Sequence, residues 1–148
     1  MIYIFDIDGT ITDISHRLHF IQDKPKDWNA FFMAAADDAP IWETVAVARA
    51  LSKAGHRIVY STGRSEISRG ITEAWLEKFR VPWVRQLLYM RTEGDHREDN
   101  VVKSELLDKI LATPGFEKIS GVFEDRQQVV DMYRARGLKV FQVAKGDF

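Results

Sequence analysis

The chain has 148 residues, a formal net charge of −1 and no cysteine, which excludes disulfides, thiolate zinc sites and a cysteine nucleophile together. A chain of this length buries roughly 70% of the surface that its unfolded form exposes, and its balanced charge gives no global positive field to attract a polyanion. No apolar run approaches the roughly 20 residues of a membrane span, so the sequence reads as a soluble, intracellular (cytoplasmic) protein with no membrane partner.

The first predicted strand, residues 2–5, runs into Asp6-Ile7-Asp8-Gly9-Thr10. Two carboxylates at the end of a buried strand are costly unless they are paired, hydrogen-bonded or bound to a metal. Side chains at i and i+2 share a face of an extended strand, and Gly9 then turns the chain. That arrangement suits one carboxylate and a backbone carbonyl holding Mg²⁺ while the other carboxylate moves protons. The competing reading is a pair that caps a turn or a following helix.

Residues 10–38 read as a small flap. It carries the basic-aromatic stretch Ser15-His16-Arg17-Leu18-His19-Phe20, then Pro25 and a short helix through Trp28, Phe31, Phe32 and Ala36. The i, i+3, i+4 spacing of the three rings fits a core face; a face for base stacking is the alternative. Asp37-Asp38 reads as a helix-ending loop far from any strand end. Pro40 is predicted to open a helix over 41–54, stopped by Gly55.

Residues 57–61 form the second predicted strand, followed by a Thr62-Gly63-Arg64 loop. Ser65 caps a helix with Ile67, Ile71, Trp75 and Phe79 on one face. A third strand at 87–90 leads through a polar loop, 91–99, to a helix over 100–111. The fourth strand, 119–123, a Glu124-Asp125-Arg126 loop, a helix over 127–136 and a fifth strand at 138–143 complete the chain. Strands alternating with helices predict an α/β fold: a Rossmann-like, three-layer domain over 1–148 with a mainly parallel five-stranded sheet covered on both faces.

Sheets of this kind bind ligands beyond the carboxyl ends of their strands, where the polar clusters fall. Together they offer the parts of a phosphomonoesterase. Asp6 is a candidate nucleophile and Asp8 a candidate general acid/base. Thr62, Gly63 and Arg64 can donate to phosphoryl oxygens, Lys103 can supply a cation oriented by Asp99, and Glu124 and Asp125 can complete a Mg²⁺ shell. The plain alternatives are a strand-to-helix turn for 61–64 and a solvated surface charge for Lys103. Arg85, Arg91, Arg97, Arg126 and Lys103 form a candidate track for a phosphate backbone.

In their order and spacing, Asp6-Ile7-Asp8-Gly9-Thr10, Thr62, Lys103 and Glu124-Asp125 resemble the haloacid dehalogenase-like (HAD) phosphohydrolase superfamily over the whole chain. Met90-Arg91, Gly94-Asp95, Arg97, Asp99 and Val101-Val102-Lys103 narrow the resemblance. With Asp125-Arg126, Gln128-Val129-Val130 and the ending from Gln142 through Gly146-Asp147-Phe148, they are similar to the 3′-phosphatase domain of phage polynucleotide kinase. The resemblance implies Mg²⁺ held by Asp6, Asp8 and Asp125, with Asp8 reaching it through its carbonyl. It also implies Asp6 as nucleophile, Asp8 as acid/base, Thr62 and Lys103 as phosphate ligands, and functional positions at Arg17, Arg64, Asp99, Asp125 and Arg126.

Two departures stand out. Glu124-Asp125 occupies positions where the family commonly has two aspartates, with Asp125 favoured as the direct ligand. No Gly-x-x-x-x-Gly-Lys-Ser/Thr loop is present, so the expectation is a phosphatase without 5′-kinase activity. Its expected substrate is a 3′-phosphorylated nucleic-acid end or a nucleotide; the alternatives are a small-molecule phosphatase and a catalytically inactive end-binding module.

Overall fold

Strand β1 (Ile2–Phe5) lies at the centre of the sheet and sends Ile4 to one buried face and Phe5 to the other. In the computed structural model, which describes residues 1–146, it pairs in parallel with β4 (Arg57–Ser65) on one side and β6 (Gly121–Arg126) on the other. Strands β5 (Leu88–Arg91) and β7 (Val140–Gly146) complete the order β5-β4-β1-β6-β7, all parallel. Asp147 and Phe148, which end the family resemblance, lie outside the described residues.

Each face of the sheet has its own apolar layer. Helices α3 (Trp42–Lys53) and α4 (Arg69–Lys78) bring Val45, Ala48, Trp75 and Leu76 against Phe5, Tyr60 and Met90. On the other face, α5 (Asp99–Leu111) and α6 (Gln127–Ala135) pack Leu107, Ile110, Val129 and Tyr133 against Ile4, Val59 and Val122. This two-sided burial explains why the strands read as nearly continuous apolar runs. Among the described residues no helix is long and apolar enough to cross a membrane.

The flap rises from a two-stranded stalk, β2 (Thr12–Asp13) paired antiparallel with β3 (Ala39–Pro40). Beyond the stalk it carries two short helices, α1 (His19–Gln22) and α2 (Trp28–Met33). Asp27 caps α2 by accepting from the Ala30 amide at 3.0 Å, as the first turn of a helix requires. Pro40 therefore ends a strand instead of opening a helix, and α3 begins at Trp42 with Ile41 as its N-cap.

Three other expectations shift. Thr62, Gly63 and Arg64 belong to β4: Thr62 is in register with Met90 and Ser65 with Arg91, and an irregularity lies between them. Glu124-Asp125-Arg126 likewise continues β6, where Arg126 is in register with Gly146. Both polar ends bulge within the ladder, and a bulge re-aims side chains there. Ile67 lies in a 3-10 turn, 59% exposed, and not on the buried face of α4.

Trp75 joins the two halves of this architecture, because its buried indole donates from Nε1 to the Asp38 carbonyl at the flap root, 2.8 Å away. Trp75→Ala is expected to cost about 3–5 kcal/mol in urea denaturation, whereas Ile67→Ala is expected to stay within about 0.5 kcal/mol of the parent.

Candidate active site

The sheet reverses its winding at β1, with β4 and β5 to one side and β6 and β7 to the other. The crevice at the carboxyl ends of strands at such a switch point is where open α/β sheets bind ligands. One cleft of about 690 Å³ opens here, lined by Asp6, Asp8, Thr62, Gly63, Arg64, Asp99, Lys103, Glu124, Asp125 and Arg126 on the sheet side. The residues that the sequence singles out from four strand ends are thus gathered in one place.

At its floor lies Lys103, 1% exposed. Its Nζ donates to Asp6 Oδ1 at 2.6 Å and to Glu124 Oε2 at 2.8 Å, and lies 3.6 Å from Asp99 Oδ2. Burial alone would lower the ammonium's pKa, but Asp6, Asp99 and Glu124 outweigh it and raise the value well above the ordinary one. Lys103 is therefore a fixed cation. This is the opposite of a solvated helix lysine, and its position on the first turns of α5 is what carries it inward.

Carboxylate oxygens of Asp6, Glu124 and Asp125 all lie within 4.8 Å of one another. Burial, then the neighbouring Glu124, push the Asp6 carboxyl well above its usual range against the pull of Lys103. Burial likewise raises Asp125 and pushes Glu124 up to about 7. Three buried carboxylates around one ammonium leave an excess of negative charge. An all-oxygen donor set with that excess fits a hard divalent cation such as Mg²⁺.

Within the set the two adjacent acids differ. Glu124 is engaged on both oxygens: Oε1 accepts from the backbone amides of Asp125 and Arg126 at 3.2 Å each, and Oε2 accepts from Lys103. Asp125 Oδ1 accepts from Thr10 Oγ1 at 3.3 Å, and the same hydroxyl is 3.0 Å from Asp6 Oδ2. Thr10 thus holds the Asp6 and Asp125 carboxylates side by side.

Asp8 faces a different environment. Its Oδ1 accepts from Arg17 Nη2 at 2.8 Å and from Arg64 Nε and Nη2 at 2.9 and 2.7 Å. Burial would raise its pKa, but Arg64 and then Arg17 overcome that and hold it down at about 2. Both arginines are themselves buried, and a second carboxylate balances them. Asp38 Oδ1 accepts from Arg17 Nε at 2.7 Å, and its Oδ2 accepts from Arg17 Nη2 at 2.8 Å and Arg64 Nη2 at 3.0 Å.

This quartet revises one expectation. Arg17 and Arg64 both donate to the Asp8 and Asp38 carboxylates and so orient Asp8. Asp38, expected in a loop away from the site, is instead 1% exposed at its edge, because the stalk of the flap returns the chain beside Asp8. His16 joins the same group, with Nε2 2.7 Å from Asp38 Oδ1. The signal for Asp38 in the sequence is its place just before Ala39-Pro40, but strand pairing of only two residues is too short to read there.

Thr62 Oγ1 accepts from the Arg64 amide at 3.1 Å, which leaves its own O–H to donate. Asp99 sits between Arg91 Nη2 at 3.3 Å and Arg126 Nη1 at 3.6 Å. Several arginines of the candidate basic track hold protein partners. Arg91 donates to the carbonyls of Gly63, Asp95 and Arg97, Arg97 is forked between Asp95 and Glu105, and Arg85 pairs with Glu73.

Glycine is required where these groups meet. A Cβ on Gly9, whose φ is +81°, would stand 2.2 Å from Asp125 Oδ2; on Gly146, 2.4 Å from the same atom; and on Gly63, 2.1 Å from Asp99 Oδ1.

A fold and site of this kind define an HAD-type phosphatase. The family model for the polynucleotide kinase PNKP phosphatase domain matches residues 1–148, and the chain belongs to that family. Chains in two structures of the Pnkp1/Rnl/Hen1 complex, one described as an RNA repair complex, are similar over 99% of this chain at 30% and 32% identity, with TM-scores of 0.79 and 0.83. The present chain spans only 43% and 46% of their lengths. The class C acid phosphatase of Bacillus anthracis shares the fold at 16% identity and a TM-score of 0.70, over 99% of this chain and 66% of its own.

The electrostatics set a pH dependence. The three raised carboxylates favour the folded, metal-free protein least at high pH: stability is full below the unfolded values near about 4 and falls as pH rises toward the Glu124 value of about 7. Asp8 acts oppositely: its contribution is present above about 4 and is lost as pH falls through about 2. A divalent cation held by the ionised cluster would relieve the high-pH penalty. Millimolar Mg²⁺ is therefore expected to raise Tm more at about pH 7.5 than at about pH 5 in thermal denaturation; equal shifts would remove these carboxylates as its ligands.

Proposed function

We propose that this chain removes 3′-phosphates from nucleic-acid ends in a Mg²⁺-dependent reaction that passes through a phosphorylated Asp6. Residues 1–148 act in this reading as one catalytic domain, with 10–38 as its flap. The observation that carries it is the pairing of two differently tuned carboxylates: Asp6 held beside Lys103, Glu124 and Asp125, and Asp8 held apart by Arg17 and Arg64. Membership of the polynucleotide kinase phosphatase-domain family and the likeness to a chain of an RNA repair complex support the nucleic-acid part.

Asp6 attacks phosphorus, forming an acyl-phosphate as the bond to the departing 3′-oxygen breaks. Asp8 protonates that oxygen, then takes a proton from the water that cleaves the acyl-phosphate. Its two arginines keep Asp8 ionised at rest, which is the form needed for the second step. Entry of a doubly charged phosphate raises its proton affinity, as a nearby like charge does, so Asp8 takes from solvent the proton that it gives to the departing oxygen in the first step. The proton gained from water in the second returns to solvent as phosphate leaves. Thr62 and the Gly63 amide donate to the phosphoryl oxygens, and Lys103 balances their charge.

Asp6, Asp125 and the Asp8 carbonyl would hold Mg²⁺, which when bound neutralises phosphoryl charge. Arg126 and Asp99 flank the substrate end of the cleft. The commitment of Arg91 and Arg97 to protein partners favours recognition at a terminus over tracking along a backbone. It also gives a small-molecule nucleotidase a physical footing as the second reading.

Asp6→Asn is nearly isosteric and is expected to reduce phosphate release by more than about a thousandfold while Tm stays close to that of the parent or rises, since a buried carboxylate is removed. Chelation should abolish turnover and Mg²⁺ should restore it. Release from a 3′-phosphorylated oligonucleotide is expected to exceed release from the 3′-mononucleotide; equal or faster turnover of the mononucleotide selects the nucleotidase reading.

A further inference from the structure

The cleft is divided into two chemistries. Its volume of about 690 Å³ exceeds what a phosphoryl group fills and lies in the range of pockets that enclose whole small ligands. One end holds the carboxylates and Lys103. The wall contributed by the flap is apolar and aromatic, with Leu18, Ile21, Trp28 and Phe32, and Ile67 adds to it from the turn after β4. Trp28 is 45% exposed, so a large ring is left in water beside the catalytic groups.

The three flap aromatics have separate fates. Phe31 is 5% exposed and carries the Arg17 guanidinium on its ring, with Arg17 Cζ 4.2 Å from the centroid. It is core, and it supports the arginine that holds Asp8. Trp28 stands edge-on to Phe31 at 5.9 Å and 88°, and lies 6.1 Å from Phe32 with 31° between the planes. Phe31 therefore props the indole, and Trp28 and Phe32 present neighbouring faces.

Polar groups share this wall. Lys26 Nζ lies 5.7 Å from the Trp28 ring, and Gln22 and Asn29 line the same wall, offering both donors and acceptors. Across the cleft, the forks of Arg91 and Arg97 are occupied by protein oxygens. The apolar and aromatic lining beyond the phosphate end comes mainly from the flap. A ring flanked by a cation and two amides is the combination with which proteins hold unpaired bases, because every base has a face to stack and edges to bond.

We propose that Trp28, with Phe32 beside it, is the platform on which the base of the substrate's terminal nucleotide stacks. The flap then recognises a nucleoside next to the phosphate and not the phosphate ester alone. This proposal rests on the phosphatase reading above, and names what that site selects.

The test compares two 3′-phosphorylated oligonucleotides that differ only in whether the terminal nucleotide carries its base or is abasic. The parent protein is expected to show a KM about tenfold lower for the base-bearing end, equivalent to about 1.4 kcal/mol, with similar kcat. Trp28→Ala should collapse that preference to near unity, and Trp28→Phe should recover most of it. A Trp28→Ala protein that keeps the parent's preference, or a parent with none, overturns the platform; the latter result points to sugar or backbone contacts instead.

If the parent released phosphate from neither substrate, the 3′-end phosphatase reading would fall, and binding would then decide the platform. Fluorescence anisotropy of the two labelled oligonucleotides on the Asp6→Asn protein, with and without Trp28→Ala, reads the same preference without turnover. A base preference lost with Trp28→Ala supports the platform, and its absence overturns it.

Discussion

One buried ammonium group organises this molecule. Lys103 reaches Asp6 and Glu124 from α5, linking the helix after β5 to the ends of β1 and β6. Breaking a buried ion pair by removing one partner is strongly destabilising, because the other charge is left without compensation. Here three carboxylates depend on one cation, so the cluster is incomplete electrostatically without a further positive charge. The same incompleteness that penalises the fold at neutral pH is what makes the crevice receptive to a hard cation and attractive for chemistry that moves negative charge.

A second charge cluster separates the two catalytic candidates. Asp6 and Asp8 are two residues apart, yet the first sits among carboxylates and the second among guanidinium groups. Environments that drive neighbouring titratable groups in opposite directions are how one site supports distinct acid, base and nucleophilic roles. The Arg17-Arg64-Asp8-Asp38 quartet also fastens the flap: Arg17 comes from just beyond β2, Asp38 from just before β3, and Arg64 from β4. Orientation of Asp8 and attachment of the flap are consequently one interaction.

Much of this was legible in the sequence because the elements that form the sheet are strongly patterned. The apolar runs before Asp6, Thr62 and Glu124 mark strands, and the polar residues that follow mark the ligand edge. Lys103 was legible through its spacing from Asp99 and its place after the third strand. Asp38 was not, because its role is created by a two-residue strand pair that carries no periodicity. Arg17 and Arg64 stand out in the sequence, but their partners do not: a guanidinium's fork can serve a phosphate or a carboxylate equally well, and only the fold says which lies within reach. The flap rings show the same limit, since helical spacing groups Phe31 with Trp28 and Phe32, while packing buries the first and leaves the second in water.

The glycines at three strand ends limit where this scaffold can change. At Gly9, Gly63 and Gly146 even a methyl group would collide with Asp125 or Asp99, so the placement of these carboxylates leaves no room for gradual adjustment from those positions. Variation that alters what the cleft accepts is confined to surfaces that do not press on the carboxylates, and the flap wall is one of them. The molecule is thereby divided into a floor closed to substitution and a roof open to it, and a lineage that changed its substrate would be expected to record that history in residues 18–33 while the strand ends stayed the same.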